Sequence, residues 1–223
     1  MDFMKWLNSL DELLYEVMSW LLFFPLTLWR AAVFPLDSIR EIERQALLPE
    51  NEQFARLISP PLFLALGLLI AHLISIALGE TDEIVARHHG LAGLVNDDTS
   101  ALILRVMLFA SFALFLAARS VRCAGKPLDR QTLRQPFYAQ CYPTTVFTIG
   151  LTIGTSLAIV PNGGVKTVGG FLIIASLINF IVVEVRWFSR SLGLHPIRAA
   201  AHVALAMAEG LLFCLCIGAL ILA

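Results

Sequence analysis

One carboxylate lies inside the last apolar stretch of the chain, HVALAMAEGLLFCLCIGALILA, and no charged residue follows it. This residue is Glu209. An ionised carboxylate that faces lipid is strongly unfavourable, so Glu209 must be protonated, paired or in contact with water. Three interpretations follow. Glu209 belongs to a hydrogen-bonded cluster that fixes helix packing, exchanges protons in a polar pathway, or is buried in a subunit contact.

Other apolar stretches also hold isolated polar residues near their centres. Counted at about 1.5 Å per residue from the basic end of each stretch, these residues fall within a hydrocarbon core about 30 Å thick. We therefore predict a polar cluster near the middle of the membrane, with His72 or Arg105 as the partner of Glu209. Its predicted members are His72, Arg105, Thr144, Thr148, Thr152, Asn179 and Glu209. Glu184, beside Arg186 and Trp187, is instead predicted to extend to the membrane interface.

The stretch FYAQCYPTTVFTIGLTIGTSLAIV carries two further patterns. Its threonines, at positions 144, 148, 152 and 155, recur at spacings of four, four and three, which places them on one helical face. Gly150 and Gly154 form a G-x-x-x-G pattern on roughly the opposite side, and such residues allow close helix packing. The pattern predicts a contact with another helix of the same chain or with a neighbouring subunit.

The composition places these helices in a membrane. Hydrophobic residues make up 58% of the 223 residues, charged residues make up 15%, and the mean hydropathy is +0.78. A soluble domain has roughly 25% charged residues. Five runs have the length of about 20 residues that a membrane-spanning helix needs. They cover 60–79, 101–118, 137–160, 165–186 and 200–222, which predicts an all-α integral membrane protein with a five-helix bundle.

The basic residues divide unevenly between the two sides that five spans would create. One side holds thirteen lysines and arginines, and the other holds only Arg87 and Lys166, with Arg105 inside the second run. Cytoplasmic loops of bacterial membrane proteins are enriched in such residues. The distribution predicts a multi-pass protein of the bacterial inner membrane, with a cytoplasmic N-terminus and the C-terminus outside.

The first 59 residues form a separate region ahead of these runs. The segment VMSWLLFFPLTLW (17–29) is too short for an ordinary span and contains Pro25. Trp6, Trp20 and Trp29 are typical of headgroup depth. The segment is predicted to be an amphipathic interfacial helix followed by a charged cytoplasmic connector; a sixth span is the alternative.

A basic segment follows the second run. Its cationic residues, which are candidates for contact with anionic lipid, are Arg119, Arg122, Lys126, Arg130 and Arg134. Each basic residue near a membrane surface contributes about 1 kcal/mol of attraction to anionic lipid. Cytoplasmic segments of membrane proteins are in any case enriched in Lys and Arg, so membrane topology alone also accounts for part of this charge.

The order of parts resembles a known family. LWRAAVFPLDSIREIERQ, a polar connector, SPPLFLALGLLIAHLI and four more closely spaced hydrophobic helices are similar to the bacterial form of the Yip1-type membrane domain, which is often loosely called a permease. The Asp-Leu-Tyr-Gly-Pro signature of the eukaryotic members is absent. The resemblance implies a helical five-span fold and no catalytic residues.

The motifs of common enzymes are missing from the sequence. It contains no G-x-S-x-G, H-E-x-x-H, Walker or G-x-G-x-x-G pattern. We therefore predict a non-enzymatic membrane module without cofactor or metal, which organises partner proteins, lipid or a homo-oligomer and has no nucleic-acid partner. The alternative is a channel or permease for a small ion or solute, built around Glu209.

Overall fold

The computed structural model describes residues 2–49, 52–54, 57–78 and 98–222. Over these residues the chain forms seven α-helices and no β-strand. They are α1 (Asp2–Val33), α2 (Pro35–Gln45), α3 (Pro60–Ala77), α4 (Asp98–Cys123), α5 (Arg130–Ile159), α6 (Gly163–Leu192) and α7 (Pro196–Leu222). Helices α3 to α7 are each long and apolar enough to cross a membrane. The predicted all-α class with five candidate spans is therefore confirmed.

Helices α4 to α7 extend beyond the apolar runs that predicted them. Helix α4 continues five residues past position 118, and α5 begins seven residues before position 137. A change in hydropathy marks where charged side chains begin, whereas a helix ends where its backbone is capped. Asp129 begins α5, because its carboxylate accepts hydrogen bonds of 2.8 Å from the backbone N–H groups of Gln131 and Thr132. Gly193, with a φ of 63°, ends α6.

Helix α5 is the centre of the assembly and packs against α2, α3, α4 and α6. Helix α7 packs on α4 and α6. We call the end where α3, α5 and α7 begin the α2 end, because α2 packs there against the start of α5 and the end of α6. The stacked rings of Phe147 and Phe180, with centroids 4.7 Å apart, mark the antiparallel register of α5 and α6.

Small residues bring α5 and α6 close together. A Cβ atom added to Gly154 would lie 3.0 Å from the backbone nitrogen of Ile173 and 3.1 Å from the carbonyl oxygen of Gly169. A Cβ atom added to Gly150 would collide with the hydroxyl of Ser176. The G-x-x-x-G pattern therefore faces another helix of the same chain.

The N-terminal helix is longer than the segment 17–29 on which its prediction was based. Helix α1 runs through Pro25 and ends at Val33, so Pro25 does not interrupt it. The break comes at Pro35, because a proline disfavours helical geometry in the residue before it, and Phe34 has φ −123° and ψ 59°. The segments 17–33 and 35–45 meet at a bend of 119°.

Helix α2 is amphipathic and closes one end of the five-helix assembly. Ile39 and Ile42 are fully buried, while Arg40 pairs with Asp37 on the exposed face at 3.2 Å. The indole N–H of Trp187 on α6 donates a hydrogen bond of 2.9 Å to the carboxylate of Glu43. These contacts attach α2 to the ends of α5 and α6.

Candidate functional site along α4 and α7

Glu209 on α7 forms an ion pair with Arg119 on α4. The Nη1 atom of Arg119 lies 2.9 Å from Oε1 of Glu209, and the two side chains are 19% and 37% exposed. The structure thus gives Glu209 a partner other than the predicted His72 or Arg105. His72 lies on α3, which packs on α4 and α5, whereas α7 packs on α4 and α6. The order of the helices therefore separates His72 from Glu209.

Arg119 reaches Glu209 because α4 does not stop where its apolar run stops. Arg119 and Arg122 lie on the last turns of α4 rather than in a loop. Counting back along the helix, Arg122, Arg119, Phe115, Phe112 and Leu108 are spaced by three, four, three and four residues. This spacing places all five on one face. One face of α4 is therefore basic at the α2 end and apolar farther along.

The basic part of this face lines a cavity of about 300 Å³, which we call the basic pocket. Its lining residues are Arg119, Arg122, Cys123, Leu194 and His202. The Nδ1 atom of His202 is buried and has no hydrogen-bond partner among the described residues. A buried polar atom without a protein partner is uncommon and indicates water or a ligand. The N–H donors of Arg119 and Arg122 and the imidazole of His202 belong to residues that line the pocket, which suits an anionic group.

A second cavity, of about 510 Å³, lies deeper along the same helix pair, and we call it the apolar cavity. It is lined by Leu108, Phe109, Phe112, Phe147, Leu151, Leu177, Met207, Ala208, Leu211 and Cys214. These residues come from α4, α5, α6 and α7. Ligand cavities of 300–1,000 Å³ are typical of small-molecule sites, and a lining of this kind suits a hydrocarbon chain.

The basic pocket and the apolar cavity share their two main helices. Arg119 lines the first and Phe112 lines the second, and the two residues are two turns apart on α4, or about 10 Å. The ion pair between Arg119 and Glu209 joins α4 and α7 beside the basic pocket, which Arg119 also lines. Together the two cavities match a molecule with an anionic head and an apolar tail.

The remaining predicted lipid contacts lie beside this site. Lys126 is exposed in the loop between α4 and α5. Arg130 and Arg134, on the first turns of α5, line a separate recess of about 630 Å³ together with Phe137. Arg134 also donates a hydrogen bond of 2.9 Å to the side chain of Gln53. The five basic residues thus surround the junction of α4 and α5, and Arg119 is the one bound to Glu209.

The predicted polar cluster does not assemble around Glu209. Asn179 is exposed on α6, and Arg105 lies half-buried on α4 about four turns before Arg119. The buried hydroxyl of Thr148 donates to the carbonyl oxygen of Thr144 at 2.8 Å, and Thr152 is half-buried one turn further along. Threonines in helices often bond to a carbonyl four residues earlier, so Thr148 needs no cavity.

Glu184 is completely buried rather than extended to the interface as predicted. Helix α6 continues two turns beyond it to Leu192, and α2 covers that end through Trp187 and Glu43. Its carboxyl group adjoins the side-chain amide of Gln140 on α5. Gln140 was missed at the sequence level, although it precedes Thr144 by four residues and so extends the threonine spacing by one turn.

No protein-family model, curated protein or solved structure matches the chain. The likeness to the bacterial Yip1-type domain therefore stays a prediction.

Proposed function

We propose that this chain is a non-enzymatic, multi-pass protein of the bacterial inner membrane that binds and organises anionic lipid along α4 and α7. The observation that carries the proposal is the succession of the basic pocket and the apolar cavity on one helix pair. A lipid phosphate in the basic pocket would accept hydrogen bonds from Arg122 and His202. One acyl chain would lie in the apolar cavity against Phe112 and Leu211.

The ion pair at this site has a defined part in the proposal. One carboxylate oxygen of Glu209 accepts a hydrogen bond from Arg119. This contact orients the guanidinium of Arg119 between α4 and α7. A guanidinium has five N–H donors, which leaves others for a phosphate oxygen. Glu209 therefore acts as a positioning residue for the lipid site.

The proposed arrangement in the membrane follows the predicted charge distribution. The α2 end faces the cytoplasm, the N-terminus lies inside and the C-terminus lies outside. Helix α1 lies along the cytoplasmic interface, where its exposed Leu21, Leu22 and Trp29 contact lipid. The alternative, a sixth span, corresponds to the bent pair of segments 17–33 and 35–45.

The other predicted function, an ion or solute pathway centred on Glu209, has less support. Glu209 is bound to Arg119, and Asn179 faces away from the helix contacts. His72 lies on α3, which does not pack on α7, and Arg105 lies about four turns before Arg119 on α4. Lipid binding, in contrast, places a ligand in the basic pocket and the apolar cavity along α4 and α7.

Binding of phosphatidylglycerol and phosphatidylcholine to the purified protein, measured by native mass spectrometry in detergent, tests the proposal. We expect phosphatidylglycerol to bind more tightly and Arg122→Gln to weaken it about fivefold, the equivalent of about 1 kcal/mol. Arg186→Gln is the matched control, because Arg186 is also exposed near the α2 end but lies outside the basic pocket. Equal binding of the two lipids, or an equal effect of the control, would overturn the proposal.

A second measurement separates the head group from the acyl chain. Ala208→Phe places a ring in the apolar cavity and should weaken long-chain phosphatidylglycerol while leaving glycerol phosphate unaffected. Cys123 lines the basic pocket, so bound lipid should also slow its alkylation relative to exposed Cys216.

A further inference from the structure

A second group of polar side chains is buried between α5 and α6, separate from the basic pocket and the apolar cavity. Glu184, Gln140 and Thr144 are each fully buried. Both carboxylate oxygens of Glu184, both polar atoms of the Gln140 amide and the hydroxyl of Thr144 lack a hydrogen-bond partner in the part of the chain that the structure describes. Most buried polar side chains in proteins are satisfied, so three unsatisfied side chains in one helix contact need an explanation, and a bound ion is one.

The backbone adds another oxygen at the same place. Pro143 lies inside α5 and has no N–H group, so the carbonyl of Ala139, four residues earlier, lacks its usual helical donor. Ala139 is fully buried in the same cluster as Phe180 and Val183 of α6, which precede Glu184 by four residues and by one residue. Unsatisfied carbonyls in discontinuous membrane helices are known ligands of sodium ions.

Among the residues that the structure describes, no positively charged side chain forms an ion pair with Glu184. Helices α4 and α7 contribute the apolar residues Leu116, Ala199 and Val203 to the buried cluster that also holds Val183, the residue before Glu184. Helix α2 brings Glu43, which accepts a hydrogen bond from Trp187. A carboxylate in such surroundings must be protonated or bind a cation.

We propose that Glu184, Gln140, Thr144 and the carbonyl of Ala139 form a binding site for one monovalent metal cation of the sodium class. The ligands would be the Glu184 carboxylate, the Gln140 amide oxygen, the Thr144 hydroxyl and the Ala139 carbonyl. All are oxygen ligands, which hard cations prefer. One carboxylate balances one positive charge, whereas a divalent ion would leave a net charge in the protein interior. Binding displaces the proton of the Glu184 carboxyl group, which is released to water.

The simpler structural explanation is a neutral hydrogen bond from protonated Glu184 to Gln140. In the structure the Glu184 carboxyl group and the Gln140 amide adjoin without the distance and angles of a full hydrogen bond, and that explanation leaves Thr144 and Ala139 unexplained. The cation site accounts for all four groups. It does not depend on lipid binding at α4 and α7.

The test is the thermal stability of the purified full-length protein in sodium, potassium, lithium or choline chloride at constant ionic strength. A cation that binds the folded state raises the melting temperature with its concentration, by about 3–6 °C at a tenfold excess over the Kd. We expect this rise in sodium and none in choline. Glu184→Gln and Thr144→Val should remove or reduce it.

Thr145→Val is the matched control. Thr145 is also buried on α5, but its hydroxyl donates to the carbonyl oxygen of Cys141 at 2.7 Å. This variant should keep the full sodium response. If Glu184→Gln does not fold, Thr144→Val and the binding of radioactive sodium to the unmodified protein decide the question. Equal melting temperatures in all four salts, or an unchanged sodium response in Thr144→Val and Glu184→Gln, would overturn the proposal.

Discussion

Arg119 and Glu209 lie 90 residues apart in the sequence and form an ion pair of 2.9 Å that joins α4 to α7. The contact joins the helix that ends at the basic segment to the last helix of the chain. It gives the isolated carboxylate of the C-terminal apolar stretch a specific partner. The pair is partly exposed, so its free energy should lie between that of a surface pair and that of a buried pair.

The first prediction concerns this pair. Arg119→Gln, Glu209→Gln and the double variant should give a coupling free energy of about 1–2 kcal/mol in a double-mutant cycle of thermal unfolding. Glu209→Leu should destabilise more than Glu209→Gln, because it removes the hydrogen-bond acceptor of Arg119. Asp37→Asn, in an exposed pair on α2, is the control and should change stability little. A coupling energy near zero would show that the contact adds no stability.

The second prediction concerns the contact between α5 and α6. Gly154→Ala and Gly169→Ala should each destabilise the protein by about 1–3 kcal/mol, because the added Cβ meets backbone atoms that cannot move aside. Gly150→Ala should cost less, because the hydroxyl of Ser176 can rotate away. Gly170→Ala is the control, since no atom lies within 4 Å of its added Cβ. Melting curves that rank Gly170→Ala with Gly154→Ala would contradict the close packing.

The third prediction concerns the docking of α2. Burial raises the pKa of the Glu43 carboxyl, and the hydrogen bond from Trp187 opposes this shift. Because the pKa of Glu43 is higher in the folded protein, its contribution to folding stability is complete below the ordinary pKa of 4.5. This contribution is lost as pH rises through the raised pKa. Glu43→Gln keeps an oxygen for Trp187 and removes the pH dependence. Hydrogen exchange of α2, corrected for intrinsic rates, should therefore be slower in the variant at pH 7.

Glu41 provides the opposite case on the same helix. Its pKa is lowered, chiefly by the hydrogen bond from Arg44. The contribution of Glu41 to folding stability is therefore present above pH 4.5 and is lost as pH falls through its lowered pKa. Glu41→Gln should not slow the exchange of α2 at pH 7. Slower exchange in both variants would show that removal of any negative charge, rather than of buried Glu43, is responsible.

The fourth prediction concerns orientation. Leu128 is exposed in the loop between α4 and α5, and Pro161 is exposed in the turn between α5 and α6. In a background without native cysteines, Leu128→Cys should react with a membrane-impermeant reagent only from the cytoplasmic side, and Pro161→Cys only from outside. Labelling of Leu128→Cys from outside would reverse the proposed topology.

The fifth prediction concerns α1. A tag at the N-terminus should be accessible only from the cytoplasm, because an interfacial α1 keeps that end inside. The same tag at the C-terminus should be accessible from outside and serves as the control. An N-terminal tag found outside would mean that the segment around Pro25 crosses the membrane.

Much of the architecture was predictable because it depends on properties that act locally. A run of about 20 apolar residues must satisfy its backbone hydrogen bonds within itself in lipid, so it forms a helix wherever it lies. Small size alone makes Gly154 suitable for a close helix contact. The five candidate spans and the charged helix α2 follow from such reasoning.

The sequence alone thus determined the number of apolar helices and the small residues suited to close packing. The tertiary structure decided which polar groups meet. Depth along a helix places Glu209 and His72 at similar levels, but the order of helices around α5 puts α7 beside α4 and not beside α3. The apolar run of α4 ends at position 118, whereas the helix continues to Cys123 and places Arg119 beside Glu209. Glu184 lies close to a helix end in the sequence, yet α2 covers that end and buries it. Contacts between distant segments depend on the packing of whole helices, which no local pattern encodes.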